Sequence, residues 1–492
     1  MNQDQTQTFF RSRHSHMFRA PHAVAMHNSV FLTQVYATPS LVPLIERFDT
    51  PAYLHDVANS SDSPSDAWAA LQTLVENRVI VTDYSAEEAE LQELARTMRT
   101  SQGIRTLDLV LTSKCNLACD YCYVRDTWSG HHPRTMSRND ADRAIDLFAK
   151  LAPNDQSNRE LVLFGGEPTI VPELCEHAIE YFDSKPEFTG CSILRVLVTN
   201  GSHRLADSFI ATLVRHDVFV IVSLDGPVLV HDRVRHNATG CGSYTDTIET
   251  VERLKCAGCR IGICVTVGAH NIDTFAQHAI DLIREIQPVD LVTNACLHDL
   301  DGSANPWRVP PRDYVTQLGS LITELRSKEY LPSQLAGILK PFALQSPRLA
   351  YCPASGNKIV AMPNGMVAPC EGFGFKGKEC ANLHDPDAFR LLMQHWRLNA
   401  AVFRNDCLSC PCLMTCGGGC SYDAWCESGS IDRCSDYHRR YACSMLEWQI
   451  WDLYDHMTVH PSSPFSITTP TTWDRATILR GHHNAHAQPS WR

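Results

Sequence analysis

The chain has 492 residues, and 43 Lys and Arg against 55 Asp and Glu give it a formal net charge of −12. Electrostatic recognition of phosphates needs basic surface, so this charge excludes a typical nucleic-acid binder, and we expect no nucleic-acid partner. Hydrophobic residues make up 44% and charged residues 20%, which excludes a mostly disordered chain. The 21 cysteines are an odd number, so internal disulfide bonds cannot pair all of them.

The cysteines also bear on the cellular compartment. No apolar run reaches the roughly 18 residues of a membrane helix. The first 19 residues, MNQDQTQTFFRSRHSHMFR, lack the apolar segment of a secretory signal. We therefore expect a cytoplasmic protein without a membrane partner, in which the cysteines stay reduced. Reduced cysteines in such numbers are typical of metal binding.

Residues 20–100 contain no cysteine and predict a separate N-terminal domain. Segment 22–38 predicts two short strands around a turn, and segment 65–81 predicts a helix, capped at Ser65 or Asp66, that runs into a short strand. A hairpin followed by short helices and a strand is the pattern of a winged-helix-like module. An acidic linker helix is predicted after it.

Residues 104–335 alternate short apolar runs with helical patterns, which predicts an α/β domain with a parallel sheet or barrel. The carboxyl ends of its strands should carry the catalytic residues. The six apolar runs are TLDLVLT, ELVLFGG, LRVLVTNG, VFVIVSLDG, RIGICVTVG and VDLVTNA.

Two regions follow the predicted sheet. Residues 345–456 are dense in cysteine, have little periodicity and cannot bury much apolar surface, so we expect bound metal to stabilise them. Residues 457–492 are rich in Pro, Ser, Thr and His, which predicts a flexible tail.

The first cysteine motif directly follows the first apolar run. Cys115, Cys119 and Cys122 have CxxxCxxC spacing. Three thiolates on one loop can hold three irons of a four-iron cluster and leave the fourth iron open to a small molecule. A zinc loop fits less well, because it needs a fourth ligand, for which His131 or His132 would have to serve.

This loop, with Tyr121 before its third cysteine, resembles the signature of radical S-adenosylmethionine (radical SAM) enzymes. Later strand ends carry further matching stretches, GGEP, TNG and SLDGP, in order. The resemblance implies a partial (β/α)6 TIM-like barrel. It also assigns a set of residues to the S-adenosylmethionine (AdoMet) site, with Asp225 stabilising a loop or lying near the ribose and Leu297 near the adenine. The set is Tyr121, Gly165, Gly166, Glu167, Pro168, Asn200, Ser223, Asp225, Arg235 and Leu297.

The same resemblance implies the chemistry. The open iron would hold the amino and carboxylate groups of AdoMet, and an electron from the cluster would cleave a carbon–sulfur bond. Methionine and a 5′-deoxyadenosyl radical result, and the radical removes hydrogen from an unactivated carbon. An external donor such as flavodoxin or ferredoxin would supply the electron.

A second cysteine pattern lies within residues 345–456. Cys352-x12-Gly365-x4-Cys370 precedes a C-x2-C-x5-C-x3-C run and further cysteines, and the whole resembles the SPASM extension of radical SAM enzymes. The resemblance implies two auxiliary four-iron clusters, hence three [4Fe–4S] clusters in all. The first would use Cys352, Cys370 and Cys420. The second would use Cys407, Cys410, Cys416 and a later cysteine, for which we favour Cys434 over Cys426 and Cys443.

Three positions depart from the family pattern or leave a role open. Lys358 stands where some relatives have a fourth ligand to the first auxiliary cluster, so that cluster has an open site or uses Cys380. Cys412 is an additional cysteine within the run, either a spare thiol or a substitute ligand. Glu371 stands where sulfatase-maturing relatives have an Asp that takes a proton. It is therefore a candidate catalytic base, and a solvated surface carboxylate is the alternative.

The remaining cysteines lie in apolar or helical segments, and we expect most of them to be buried thiols. They are Cys175, Cys191, Cys241, Cys256, Cys259, Cys264 and Cys296.

The N-terminal module decides between functions. Its pattern is similar to the domain that recognises leader peptides of ribosomally made, modified peptides, and it would bind an extended leader as an added strand. We therefore expect an enzyme that oxidatively cross-links or otherwise alters a ribosomal precursor peptide. The alternatives are a formylglycine-forming maturase of the sulfatase type and a non-enzymatic interaction protein that binds zinc or clusters.

Overall fold

The computed structural model describes residues 7–100, 103–124, 133–299, 302–457 and 464–482. The N-terminal domain contains six strands and four helices. The strands are β1 (Thr8–Arg11), β2 (Ser15–Arg19), β3 (Val24–Asn28), β4 (Gln34–Ala37), β5 (Ala52–Tyr53) and β6 (Ile80–Val81). The helices are α1 (Val42–Glu46), α2 (Leu54–Asn59), α3 (Pro64–Glu76) and α4 (Ser85–Thr100).

The strands of this domain form two small sheets. The first has the order β5-β1-β6, and the second contains β4, β3 and β2 in that order. The predicted hairpin is the antiparallel pair β3–β4, with Val24 opposite Ala37. The boundary predicted at residue 20 is wrong, because β1 pairs with both β5 and β6 and therefore belongs to the domain.

The central sheet confirms the predicted parallel strands. Each of the six apolar runs contains one strand, and neighbouring strands pair in parallel in the order β12-β11-β10-β9-β8-β7. All residues of β7 are buried. The strands are β7 (Thr106–Thr112), β8 (Arg159–Gly165), β9 (Ile193–Thr199), β10 (Phe219–Ser223), β11 (Arg260–Val267) and β12 (Asp290–Ala295).

Helices follow the strands and bring the carboxyl ends of all six to one edge of the sheet. They are α5 (Arg138–Leu151), α6 (Pro172–Asp183), α7 (Asp207–Arg215), α8 (Val228–His231), α9 (Tyr244–Cys256), α10 (Phe275–Ile286), α11 (Pro311–Ser327) and α12 (Ser333–Ala343). Among the described helices of the chain, none has both the length and the apolarity that a bilayer crossing demands.

The cysteine-rich region continues the central sheet at its β7 edge. Strand β13 (Lys358–Ala361) pairs in parallel with β7, and β14 (Met366–Ala368) and β15 (Ala381–Asn382) follow in antiparallel order. The helices of this region are α13 (Glu371–Lys376), α14 (Pro386–Arg397), α15 (Asn405–Leu408), α16 (Leu413–Cys416), α17 (Ser421–Ser428) and α18 (Asp436–His456).

The predicted flexible tail, 457–492, needs correction over residues 464–482. There, β16 (Ile467–Thr468) pairs with β4, and α19 (Thr472–Ile478) follows. Thr471 and Asp474 form a capping box at the start of α19, and Ile478 is fully buried. A reciprocal cap and a buried apolar residue are enough to order a short helix on the body of the protein. The other tail residues beyond 457 lie outside the described ranges.

Candidate active site

The first cysteine loop begins where β7 ends, and the segment after β10 holds it in place. The backbone N–H of Ala118 donates to His236 O (2.7 Å), and that of Asp120 donates to Val234 O (3.0 Å). Burial raises the pKa of the Cys115 thiol to about 11 and that of Cys119 to about 12. Without metal these thiols stay protonated, so ionising them requires a cation bound in the loop.

The donor set of this loop fits an iron–sulfur cluster better than a single ion. Cys115, Cys119 and Cys122 supply three thiols, but their Sγ atoms are not all within 4.8 Å of one another. A cluster binds each thiolate through a different iron, so it holds the sulfurs farther apart than one ion does. His131 and His132, the ligands that a zinc loop would need, lie outside the described residues.

The turn after β8 approaches the start of the cysteine loop very closely. Gly166 N donates to Thr112 O (2.9 Å), and Glu167 N donates to Lys114 O (2.8 Å). A Cβ atom on Gly166 would lie 2.4 Å from Lys114 O. Gly165 has φ of 150° and equally little room beside Thr112 O. Glycine is therefore required at both positions for the turn to reach the loop.

The buried Glu167 side chain connects the carboxyl ends of β8 and β9 through hydrogen bonds. Its carboxylate accepts hydrogen bonds from Thr169 N (3.1 Å), Thr169 Oγ1 (2.7 Å), Thr199 Oγ1 (2.8 Å) and Asn200 N (2.7 Å). Pro168 is also buried, at the start of a short 3₁₀ turn. Because the carboxylate is engaged by protein donors, the predicted contact of this turn with AdoMet would come from its backbone.

Changing Glu167 to Gln tests the contribution of these hydrogen bonds. One carboxylate oxygen becomes an NH2 group that faces donors, so we expect Glu167→Gln to lower the free energy of unfolding by about 2 kcal/mol. AdoMet affinity should fall with it, because the turn would shift. Urea denaturation and calorimetric AdoMet titration measure the two effects. Glu173→Gln makes the same change on an exposed helix residue, and equal stability of the two variants would contradict the role.

Asn200, at the end of β9, bonds directly to the cysteine loop. Its Nδ2 donates to Asn116 Oδ1 (2.9 Å) and to Cys115 Sγ (3.8 Å). Asn116 Nδ2 in turn donates to Ser202 Oγ (2.9 Å). This predicted site residue therefore positions the loop.

Tyr121, Asp225 and Arg235 form a buried network behind the loop. The Tyr121 hydroxyl donates to Asp225 Oδ2 (2.6 Å), and Arg235 donates to the Tyr121 hydroxyl. Burial opposes ionisation of Asp225, but the guanidinium of Arg235 and the nearby histidines together favour the carboxylate and lower the pKa of Asp225 to about 2. These side chains are thus directed at one another, which agrees with a loop-stabilising role for Asp225. Their predicted contacts with AdoMet stay a prediction.

Sequence reasoning missed His270 in this network. Its ring stacks on Tyr121 with 5.4 Å between centroids, and its Nε2 lies 3.5 Å from Asp225 Oδ2. His270 comes shortly after β11, so its position at a strand end was the available signal.

The two other predicted AdoMet residues lie apart from this network. Ser223 is the half-buried last residue of β10. Leu297 packs in the apolar cluster of Phe373 and Tyr422, which also contacts Cys352 and Cys370. Leu297 therefore lies beside the second group of cysteines.

Cys352, Cys370 and Cys420 all pack against that apolar cluster, and their shared role as cluster ligands, which the resemblance implies, stays a prediction. Burial raises the pKa of Cys420, and the neighbouring Asp423, Cys370 and Cys352 raise it further. Cys380 donates instead to the backbone carbonyl of Lys378 (3.0 Å). Cys426 packs against the same cluster, away from the second predicted auxiliary site.

Lys358 pairs with two carboxylates next to this cysteine group. Its Nζ lies 2.5 Å from Glu371 Oε1 and 3.1 Å from Asp108 Oδ2. Burial opposes ionisation of Glu371, but the charge of Lys358 and the hydrogen bonds to the carboxylate together lower the pKa of Glu371 to about 2. The alternative of a solvated surface carboxylate is therefore wrong, since the Glu371 side chain is only 24% exposed. Burial raises the pKa of Asp108.

Five cysteines line a small cavity between α15, α16 and the start of α18. They are Cys407, Cys410, Cys412, Cys416 and Cys434. Cys434 packs beside Cys407 at this cavity, and the choice of Cys434 as the later ligand stays a prediction. Cys412, which the family pattern does not require, also reaches Cys443, with 3.8 Å between the Sγ atoms.

The turn between Cys416 and Cys420 separates the two groups of cysteines. Gly417, Gly418 and Gly419 have φ of 75°, 99° and 77°, a left-handed run that other residues rarely adopt. Arg404 fixes this turn through Gly418 O and Ile431 O. Cys416 consequently joins one group and Cys420 the other.

The expectation that most remaining cysteines are buried is wrong. Cys175 and Cys296 are buried, whereas Cys241 and Cys256 are exposed. Cys191, Cys259 and Cys264 are half-buried. Small thiols at helix ends and turns evidently remain accessible to solvent here.

Residues 109–282 match the family model of the radical SAM superfamily, a stretch that runs from β7 into α10. The matched stretch contains the first cysteine loop and the strand ends around it. These residues therefore form a radical SAM domain.

Two curated relatives are similar over much of the chain. Radical SAM cyclopropyl synthase TigE of Paramaledivibacter caminithermalis is 23% identical over 356 residues, covering 68% of this chain and 71% of the relative. The cysteine-type anaerobic sulfatase-maturating enzyme of Clostridium novyi is 23% identical over 273 residues, covering 53% and 71%.

Two solved structures share the fold. The structure of native anSMEcpe with bound AdoMet has a TM-score of 0.60 at 19% identity, covering 72% of this chain and 100% of that one. Streptococcus suis SuiB bound to precursor peptide SuiA has a TM-score of 0.51 at 13% identity, covering 87% and 99%.

Proposed function

We propose that this enzyme reductively cleaves AdoMet and uses the 5′-deoxyadenosyl radical to cross-link or otherwise oxidise residues of a ribosomally synthesised precursor peptide. Two of the similar proteins support a peptide or protein substrate, since one is named a sulfatase-maturating enzyme and SuiB is described as bound to a precursor peptide. The observation that carries the narrower choice is the N-terminal domain. Its strand β2 is an edge strand of the sheet formed with β3 and β4.

An edge strand gives the proposed leader its binding mode. Within the described residues, β2 pairs with β3 on one side and with no strand on the other. Its free backbone groups can take up an extended peptide by adding a strand, as leader-binding domains do. The fold likeness to SuiB extends over 87% of this chain, and that protein is described as bound to a precursor peptide.

The residues around the first loop would hold the cofactors in this reaction. Cys115, Cys119 and Cys122 would ligate a [4Fe–4S] cluster, which with AdoMet supplies a radical able to attack an unactivated carbon. The backbone of the GGEP turn would meet the amino group of AdoMet. Asn200 and the Tyr121 network would keep the loop in position.

The cysteine-rich region would receive the second electron of the oxidation. Removing a hydrogen atom leaves a substrate radical, which must lose one more electron to give a closed-shell product. We assign Cys352, Cys370 and Cys420 to the first auxiliary cluster. Cys407, Cys410, Cys416 and Cys434 are assigned to the second. Glu371, ionised beside Lys358, would accept the proton released in this step.

One observation also favours the sulfatase-type alternative. Glu371 follows a proposed cluster ligand directly and is held ionised, as a base for formylglycine formation would need to be. A relative from Clostridium novyi carries that activity in its name. The external electron donor, flavodoxin or ferredoxin, is the same in both proposals.

A substrate comparison with the full-length, anaerobically reconstituted enzyme tests the proposal. Dithionite and AdoMet are supplied together with a short peptide encoded beside the gene, either complete or without its leader half. We expect 5′-deoxyadenosine, and the complete peptide should lose two hydrogen atoms per bond formed. The leaderless peptide should react far more slowly. Conversion of a sulfatase-derived Cys peptide instead, with the precursor unchanged, would favour the alternative.

A further inference from the structure

The segment between β12 and α11 contacts both the first cysteine loop and the cysteine-rich region. Its described residues, 296–299 and 302–310, are here called the connecting segment. A backbone hydrogen bond from Asp299 N to Ser303 O (3.2 Å) joins the two parts. Apart from Leu297, none of these residues has a role in the proposed reaction, so their contacts need an explanation of their own.

Asn305 of the connecting segment holds the backbone of the first cysteine loop. Its side chain is buried, and its Nδ2 donates to Tyr121 O (3.1 Å) and to Asp299 Oδ1 (2.9 Å). Its Oδ1 accepts from Trp307 N (3.0 Å). Both hydrogens and the oxygen of the amide are thus engaged, which fixes its orientation. Since Tyr121 directly precedes Cys122, Asn305 fixes the backbone beside the third thiol of the loop.

Tyr422 ties the connecting segment to the cysteine-rich region. It lies at the start of α17, two residues after Cys420, and its ring is buried. Its hydroxyl donates to two backbone carbonyls of the segment, His298 O (3.3 Å) and Asp299 O (3.1 Å). The same Asp299 accepts the hydrogen bond from Asn305, so Tyr422 and Asn305 act on one short stretch of chain.

A buried ion pair provides a second anchor on the same helix. Arg308 Nη2, at the end of the connecting segment, lies 2.6 Å from Asp423 Oδ2, and both side chains are buried. The guanidinium also lies over the ring of Tyr437, at 3.7 Å from its centroid. Separating such a pair would leave two buried charges uncompensated. The connecting segment is therefore firmly attached to α17.

The residue after Cys122 reaches Tyr422 directly. The rings of Tyr123 and Tyr422 meet edge to face, with 6.2 Å between their centroids. Tyr123 belongs to the apolar cluster that Cys370 and Cys420 also contact. Cys122 therefore has a neighbour on each side whose contacts end at Tyr422: Tyr123 by ring packing, and Tyr121 through the connecting segment.

We propose that Asn305 and Tyr422 are positioning residues that hold Cys122 from the cysteine-rich region, so that AdoMet binding at the first loop depends on how that region packs. Neither side chain is placed to touch the reacting atoms; each acts through the backbone on one side of Cys122. Residues that orient a metal ligand in this way commonly change the affinity of the site by tenfold or more. The inference rests on the proposed binding of AdoMet at this loop and adds the residues that keep the loop competent.

Asn305→Asp tests the proposal in the full-length, reconstituted enzyme. The change keeps the shape of the side chain and the acceptor for Trp307 N but removes both donated hydrogens. Without AdoMet, we expect amide hydrogen exchange in residues 115–124 to become about tenfold faster, because a buried hydrogen bond is lost. In the electron paramagnetic resonance spectrum of the reduced enzyme, the half-maximal change on AdoMet addition should need about tenfold more AdoMet. Iron content and the spectrum at saturation should equal those of the wild type, because the thiols are unchanged.

Tyr422→Phe is a second, milder test that leaves the ring in place. Removing only the hydroxyl should raise the same exchange rate and the AdoMet requirement about threefold. This variant decides the matter if Asn305→Asp folds poorly. Asn139→Asp and Tyr53→Phe make the same two changes at exposed positions and should alter neither measurement.

Two outcomes would overturn the positioning role. One is wild-type exchange in residues 115–124 together with wild-type AdoMet binding in the variants that fold. The other is an equal rise of exchange in the N-terminal domain, which would show a general loss of stability. Because hydrogen exchange is measured without AdoMet, it stays informative even if the wild type fails to cleave AdoMet, a result that would contradict the proposed function instead.

Discussion

Replacing Cys115, Cys119 and Cys122 together by Ala should abolish 5′-deoxyadenosine formation. The variant should lose about four of about twelve irons, because each proposed cluster holds four. The loop's hydrogen-bond partners belong to the central sheet and the segment after β10, and its three cysteines lie outside the apolar clusters that contain the other cysteine groups. The remaining clusters should therefore keep their visible absorption. Iron analysis, absorption spectra and chromatography of AdoMet products measure these outcomes.

A triple variant of equal size provides the control. Cys191, Cys241 and Cys256 lie outside every proposed site, so replacing all three by Ala should preserve activity and iron. If the variant of the first loop lost all its iron, or still cleaved AdoMet, the three thiols could not be the separate ligands of a catalytic cluster.

Lys358→Met should destabilise the protein by about 3–5 kcal/mol, because it leaves the buried Asp108 and the half-buried Glu371 without their cation. Asp108 and Glu371 both lie within 3.1 Å of Lys358 Nζ, and no more than 24% of either side chain is exposed. Without Lys358, burial raises the pKa of both carboxyls. The loss of stability should therefore be smaller in acid, where protonation neutralises them, and should grow as pH rises. Denaturant titrations across pH measure this.

Two comparisons isolate the buried charges. Lys328→Met removes a cation from an exposed pair with Glu324 and should cost less than about 1 kcal/mol. Adding Asp108→Asn and Glu371→Gln to Lys358→Met should recover most of the stability and flatten its pH dependence. If Lys358→Met proved no worse than Lys328→Met, the buried cluster would not contribute as proposed.

The strands and cysteine motifs could be predicted because their signals are local. Each strand of the parallel sheet is a short apolar run, and the first loop carries its three cysteines within eight residues. Asp108 could not be found this way. It sits inside an apolar run, and its partner Lys358 is brought to it only by the pairing of β7 with β13.

Other features could not be predicted, because they depend on contacts between residues that are far apart in the sequence. The approach of Cys412 to Cys443 requires α18 to lie against the loop before α16, and nothing in the intervening sequence specifies that distance. His270 reaches Tyr121 only because β11 ends beside β10 in the sheet. The ordered segment 464–482 was obscured by its composition, although its capping residues, Thr471 and Asp474, were visible in the sequence.

The pairing of β13 with β7 has a consequence for electron transfer between the two proposed clusters, here called the two centres. The hairpin that leads to Cys370 is hydrogen-bonded to the same strand that leads to Cys115. Tunnelling rates fall exponentially with distance, so a hinge between the two centres would make electron transfer intermittent. A shared backbone ladder instead gives the two centres a constant separation. Any motion that admits a substrate must therefore occur elsewhere. The distance between the two centres then stays constant while the protein opens.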